Sequence, residues 1–169
     1  YFFLLILVWS NHNISFIDID FNSIKEINVS GLDEKDNENL SKEIKNLKLN
    51  NIFFIKSDQI NELISLNSSV EKFEIFKKYP SSIDVKIQKT NFLAKINIKG
   101  KIYLIGSNAK ISKYDLNYYD LPFIFGNPDI IDFLNFKKKI DQSNFSYGEI
   151  KNLYFYPSKR WDLELKNNI

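Results

Sequence analysis

The chain carries one histidine, His12, and no cysteine among its 169 residues. Any histidine-based nucleophile triad or histidine-rich metal site would have to be built on His12. It sits among Ser10, Asn11 and Asn13, in a short polar stretch where a solvated side chain is the plainer reading. The absence of cysteine excludes a thiolate nucleophile and a cysteine-ligated metal. Asp18 with Asp20, and Asp162 with Glu164, are carboxylates two residues apart. On an extended segment that spacing puts both on one side, as a general acid and base would require. The same spacing marks the solvated face of an ordinary strand, which is the simpler account. Gly31, Gly100, Gly106, Gly126 and Gly148 are isolated and form no phosphate-cradling loop. The residues therefore predict no catalytic group, no cofactor, no metal site and no small-molecule substrate.

Charge narrows the partners. Lys and Arg total 23 against 21 Asp and Glu, a formal net charge of +2. The lysines are scattered apart from Lys137-Lys138-Lys139, which reads as a solvated helix face. That balance gives no reason to expect nucleic acid. Function must then come from surfaces, and the elements that present them can be read from periodicity.

Tyr1 to Trp9 is wholly apolar. A membrane span takes about 20 such residues, so residues 1–10 are expected to be the remnant of a transmembrane helix with Trp9 at the interface. A buried strand or a signal-peptide core is the competing reading. The chain has no methionine, and the expectation is a fragment or a trimmed start. Residues 11–23 read as a hydrophilic tether.

Ile24 to Ser30 reads as a strand ended by Gly31. Asp36 to Leu47 reads as a helix, with Leu40, Ile44 and Leu47 on one face. Ile52 to Ile55 is a short apolar plug. Ser57 is a plausible cap for a second helix, Asp58 to Leu66, with Ile60, Leu63 and Ile64 on one face. Val70 to Phe76 reads as a strand and Tyr79-Pro80-Ser81-Ser82 as a turn. Beyond it Ile83, Val85 and Ile87 alternate with Asp84, Lys86 and Gln88, the period of a strand with one apolar face. The order is β-α-α-β-β, two helices laid on one face of a three-stranded sheet.

From 91 onward the pattern is successive strands: Phe92 to Ile98, a Lys99-Gly100 turn, Ile102 to Ile105, a turn at 106–108, and 109–114. Residues 115–120 read as a loop and 121–126 as an extended segment. Asn127-Pro128 is expected to start a helix, Asn as cap and Pro in its first position, with Ile130, Phe133, Leu134 and Ile140 on its apolar face. Ile150 to Tyr156 is a strand. Trp161, Leu163 and Leu165 alternate with polar residues in the last one, and Asn167-Asn168 reads as a hairpin turn whose partner strand lies further on. The expected fold class is α+β: a β-α-α-β-β module over 24–90, then a mostly antiparallel β domain with one helix over 91–169.

A three-stranded sheet has edges, and an unpaired edge accepts an extended peptide. Val70 to Phe76 is the candidate edge. Its candidate contact residues are Val70, Lys72, Phe73, Glu74 and Phe76. Trp161 is a further candidate anchor, with a core position as the simpler alternative.

In that order the segments resemble the FtsQ/DivIB family of bacterial cell-division proteins, a POTRA module followed by a β domain. Ile27-Asn28-Val29-Ser30-Gly31 is similar to the family's "V-x-G" opening strand, and Asn51-Ile52-Phe53-Phe54-Ile55 to its "N-L-F-x-I" step. Val70-Glu71-Lys72-Phe73 with Lys77 to Ile87 resembles its "V-x-x-A-x-V-x-R-x-x-P-x-x-L-x-I-x-I" hairpin. Ala94 falls at the Ala of "P-x-A". Leu104-Ile105 with Asn108 to Ile111 resembles "L-I-D-x-x-G", and Leu121 to Gly126 resembles "L-P-x-L-x-G". Lys159 to Ile169 resembles "R-x-W-x-L-x-L-x-N-G-I". Lys89 and Phe92 depart from the family's Glu and Pro near Ala94, and Gly106 replaces its Asp.

The resemblance implies a non-catalytic, single-pass protein of the inner membrane at the division septum, its bulk in the periplasm. It would link early septum proteins to the complex that controls septal peptidoglycan synthesis. The implied partners are small coiled-coil subunits like FtsB and FtsL and other septal membrane proteins, held mostly by strands beyond Ile169. The alternative is a POTRA module of an outer-membrane assembly or secretion system that binds unfolded β-strands. An unrecognised enzyme is the remaining class, and the lone histidine gives it little to work with.

Overall fold

The computed structural model describes residues 24–47, 49, 52 and 58–167. The expected transmembrane remnant, the tether with His12, Asp18 and Asp20, the Ser57 cap and most of the 52–55 plug lie outside the described residues. Among the described residues no helix is long and apolar enough to cross a membrane.

Two sheets are present. The first has the order β1-β3-β2, with β1 at Glu26–Ser30, β2 at Val70–Lys78 and β3 at Ser82–Lys89. The central strand β3 is the one whose alternation is clearest. Ile83 and Val85 are fully buried and Ile87 nearly so, while Asp84, Lys86 and Gln88 turn to the other face. β3 runs parallel to β1 and antiparallel to β2.

Helices α1 (Glu34–Asn46) and α2 (Asp58–Leu66) contribute Leu40, Ile44, Ile60 and Ile64 to the core between helices and sheet. Each pair is spaced i, i+4, one turn apart on a single face. α1 starts two residues earlier than expected, at Glu34. Asn37 stabilises that start: its side chain accepts from Leu32 N and donates to Leu32 O. Gly31 makes the sharp entry possible. Its φ is +110°, and a Cβ there would lie 1.8 Å from the Ile87 carbonyl oxygen.

The second sheet has the order β6-β5-β4-β7-β8-β9. Its strands are β4 (Phe92–Ile98), β5 (Lys101–Gly106), β6 (Ile111–Lys113), β7 (Phe123–Phe125), β8 (Ile150–Phe155) and β9 (Trp161–Leu165). Lys99 and Gly100, both with positive φ, make the tight turn between β4 and β5. The pairings β4·β5, β5·β6 and β8·β9 are antiparallel, whereas β4·β7 and β7·β8 are parallel. The parallel step follows from α3 (Ile130–Asp141), which crosses over between β7 and β8.

The start of α3 corrects the expected cap. Asp129, not Asn127, is the N-cap: it is extended, and its carboxylate accepts from Ile131 N at 2.8 Å. Pro128 therefore precedes the cap instead of opening the helix. The expected 115–120 loop contains a 3-10 turn at Leu116–Tyr118, with Asp115 accepting from Asn117 N.

α3 covers one face of the second sheet. Phe133 and Ile140 meet Ala94, Ile96, Ile105, Ile124, Ile150 and Leu153 in its core. No residue belongs to both cores.

Candidate partner-binding site

β2 pairs with β3 and, among the described strands, with no other, so its far side is a sheet edge. The alternation of Val70–Lys78 places Lys72, Glu74, Phe76 and Lys78 on the exposed face. Phe73 and Ile75 face inward and pack against the first core. Phe76 is 42% exposed, and the Lys86 ammonium sits 5.2 Å from its ring centroid. Lys78 pairs with Asp84 on the neighbouring strand. That hydrogen bond, with a smaller one from Asn28, holds the Asp84 carboxyl below the usual carboxylate range. A shallow cavity of about 300 Å³ is lined by Lys72, Phe73, Glu74, Lys86, Ile87 and Gln88.

Of the six candidates, Lys72, Glu74 and Phe76 share the exposed face of β2, Phe73 turns to the core side of the same strand, and Val70 and Trp161 lie elsewhere. The Val70 side chain is 3% exposed and belongs to the core. Its carbonyl already accepts from Asn108 Nδ2 at 2.8 Å. The edge open to a partner therefore begins after Val70, at a bulge between Val70 and Lys72. Trp161 stacks on Phe136, with centroids 4.6 Å apart and planes at 6°, and meets Phe155 and Phe133 at an angle. It packs against the second core, away from the β2 edge in sequence and in sheet.

A second, larger groove of about 670 Å³ runs between β1 and α1, with Ile27, Val29 and Leu32 among its apolar lining and Ser41 bonded to the Ile27 carbonyl. Sequence reasoning missed it because both of its walls read as ordinary amphipathic faces.

The carboxylate pair Asp162 and Glu164 forms no acid/base couple. Asp162 is bonded by Arg160. Glu164 accepts from Asn152, Lys151 and Tyr154 at 2.8 to 2.9 Å, and these bonds hold its carboxyl down at about 2. A carboxylate saturated in this way ties β8 to β9 and is poorly placed to take up a proton. Among the described residues no group of three or more His, Cys, Asp or Glu is placed to hold a metal.

The family model for the POTRA domain of FtsQ type matches residues 22–89. Residues 22–89 are an FtsQ-type POTRA domain. The matched span covers β1, α1, α2, β2 and β3, and ends where the chain leaves β3 for the second sheet. Domains of this type are in general not enzymes, and the match points to a cell-division protein. No curated protein is similar enough to the chain to count as a match. The free β2 edge is thus an edge of the POTRA domain itself.

Proposed function

We propose that the protein is a non-catalytic, single-pass component of the bacterial divisome, anchored in the inner membrane by the apolar segment at residues 1–10. Residues 24–90 and 91–169 then work in the periplasm as a POTRA module and a β domain. The protein ties early septum proteins to the complex that controls septal peptidoglycan synthesis, with FtsB- and FtsL-like coiled-coil subunits among its partners. The observation that carries this reading is the FtsQ-type POTRA match over a module whose strand β2 leaves an edge free. An extended partner segment adds to such an edge through main-chain hydrogen bonds. Side chains on alternate positions, here Lys72, Glu74 and Phe76, then select the partner.

Depletion of the full-length protein in its own host, followed by microscopy, tests this. The expected result is long filaments with segregated nucleoids and blocked constriction. A free edge in a POTRA domain also suits a module that handles unfolded β-strands for outer-membrane assembly. Normal division with loss of outer-membrane proteins would put that second reading first.

A further inference from the structure

The POTRA domain and the second sheet have separate cores, and modules joined in this way are expected to move against each other unless something holds them. The turn between β5 and β6, Gly106 to Lys110, reaches back to the POTRA domain at several separate points. Asn108 Nδ2 donates to Ser68 O at 3.0 Å and to Val70 O at 2.8 Å. Ser107 Oγ donates to Glu71 Oε2 at 2.7 Å, and Thr90 Oγ1, in the connection between the sheets, donates to the same oxygen at 2.8 Å. Lys110 Nζ reaches the carbonyls of Ser65 and Asn67, at the C-terminal end of α2, where a cation is favoured.

We propose that the Gly106–Lys110 turn is a clamp that holds the POTRA domain and the second sheet at one fixed angle. One hydrogen bond leaves two bodies free to rotate about it, whereas bonds spread over the end of α2, the start of β2 and the connection at Thr90 do not. The turn is also shaped for the task. Asn108 Oδ1 accepts from Lys110 N at 3.0 Å, which orients the amide so that both of its donor hydrogens face the POTRA carbonyls. A Cβ at Gly106 would lie 2.5 Å from Asn108 Oδ1 and 3.1 Å from Thr90 Oγ1, so glycine leaves room for that orientation. Thr90 is 3% exposed. Its hydroxyl needs a partner once buried, and the Glu71 carboxylate supplies it.

Residues 1–169 contain no cysteine, so Lys45→Cys on α1 and Lys138→Cys on α3, both exposed, give a single pair of spin-label sites within them. Electron-electron double resonance then reads the distance distribution between the modules. The clamp predicts one narrow distance. In a chain that also carries Ser107→Ala and Asn108→Ala the distribution at least doubles in width, while the POTRA domain and the second sheet each keep a cooperative unfolding transition. Lys110→Ala, which leaves the turn's internal bonds intact, gives a smaller broadening and serves if the double substitution does not fold. A broad distribution in the unsubstituted background overturns the proposal. So does an unchanged narrow one in either folded variant.

Discussion

The POTRA domain and the second sheet solve the same problem with different side chains. In the first, two helices cover a three-stranded sheet, and the buried core is built entirely of Leu, Ile and Val. In the second, one helix covers a six-stranded sheet. There the core includes Phe133, with Phe136, Trp161, Phe145 and Tyr147 packed around it. A single helix is about 10 Å across and cannot by itself cover six strands, so large rings extend its reach. The small sheet keeps β2 as an edge strand, and its exposed face carries charge and one exposed ring. Rings thus fill the second core where aliphatic side chains fill the first, and Trp161 is one of the rings packed there.

Glycine sharpens the parallel most strongly. Gly31 in the first unit and Gly126 in the second both have positive φ. A Cβ would lie 1.8 Å from Ile87 O at the first and 2.3 Å from Phe155 O at the second. Gly31→Ala and Gly126→Ala should each cost about 3 to 6 kcal/mol, from backbone strain and overpacking together, read by urea unfolding. A small cost at either site would show that the local backbone gives way.

Core truncation comes next. Phe133→Ala and Ile44→Ala should each lose about 3 to 4 kcal/mol. Because the two cores share no residue, each should shift the unfolding of its own sheet, followed by amide exchange strand by strand. Equal shifts in both sheets would make the protein one cooperative unit.

Trp161→Ala should cost about 2 kcal/mol or more, since the ring is only partly buried. As a core residue it should lower stability and leave partner capture at β2 unchanged. Loss of capture without loss of stability would restore its role as an anchor.

The smallest effect is electrostatic. The folded-state pKa of Glu164, about 2, lies below its ordinary 4.5. Its contribution is therefore fully present above pH 4.5 and is lost as pH falls towards 2. The stability gap between the native protein and Glu164→Gln should be constant above that range and close within it, measured by denaturation at a series of pH values.

Much of the POTRA fold was legible because its signals are local. Ile83, Val85 and Ile87 announce the central strand by alternation, and Leu40 with Ile44 announces the first helix by a one-turn spacing. The β2–β3 hairpin was legible, but which of its strands lies outermost is set by the pairing of β1 with β3. The cap of α3 was less legible, because Asn127 and Asp129 both suit an N-cap and only the backbone separates them. Val70 reads as one more residue of an exposed strand, yet the bulge beside it turns it into the core. The joint was invisible. Asn108 meets a carbonyl 40 residues away in sequence, and Ser107-Asn108 looks like any polar turn until the two sheets are placed. The site was legible as a strand but not as a bounded surface, because its start is set by those distant bonds.

If the protein works as proposed, the free β2 edge is the surface that holds a partner. The most direct test of this is site-specific photo-crosslinking in dividing cells, with the reactive side chain placed in turn at Lys72, Glu74 and Phe76, and at Lys42 and Lys138 as distant controls. The β2 positions are expected to capture a division membrane protein and the controls to capture none. Capture of that protein at Lys42 or Lys138, with none along β2, would contradict that role of the edge.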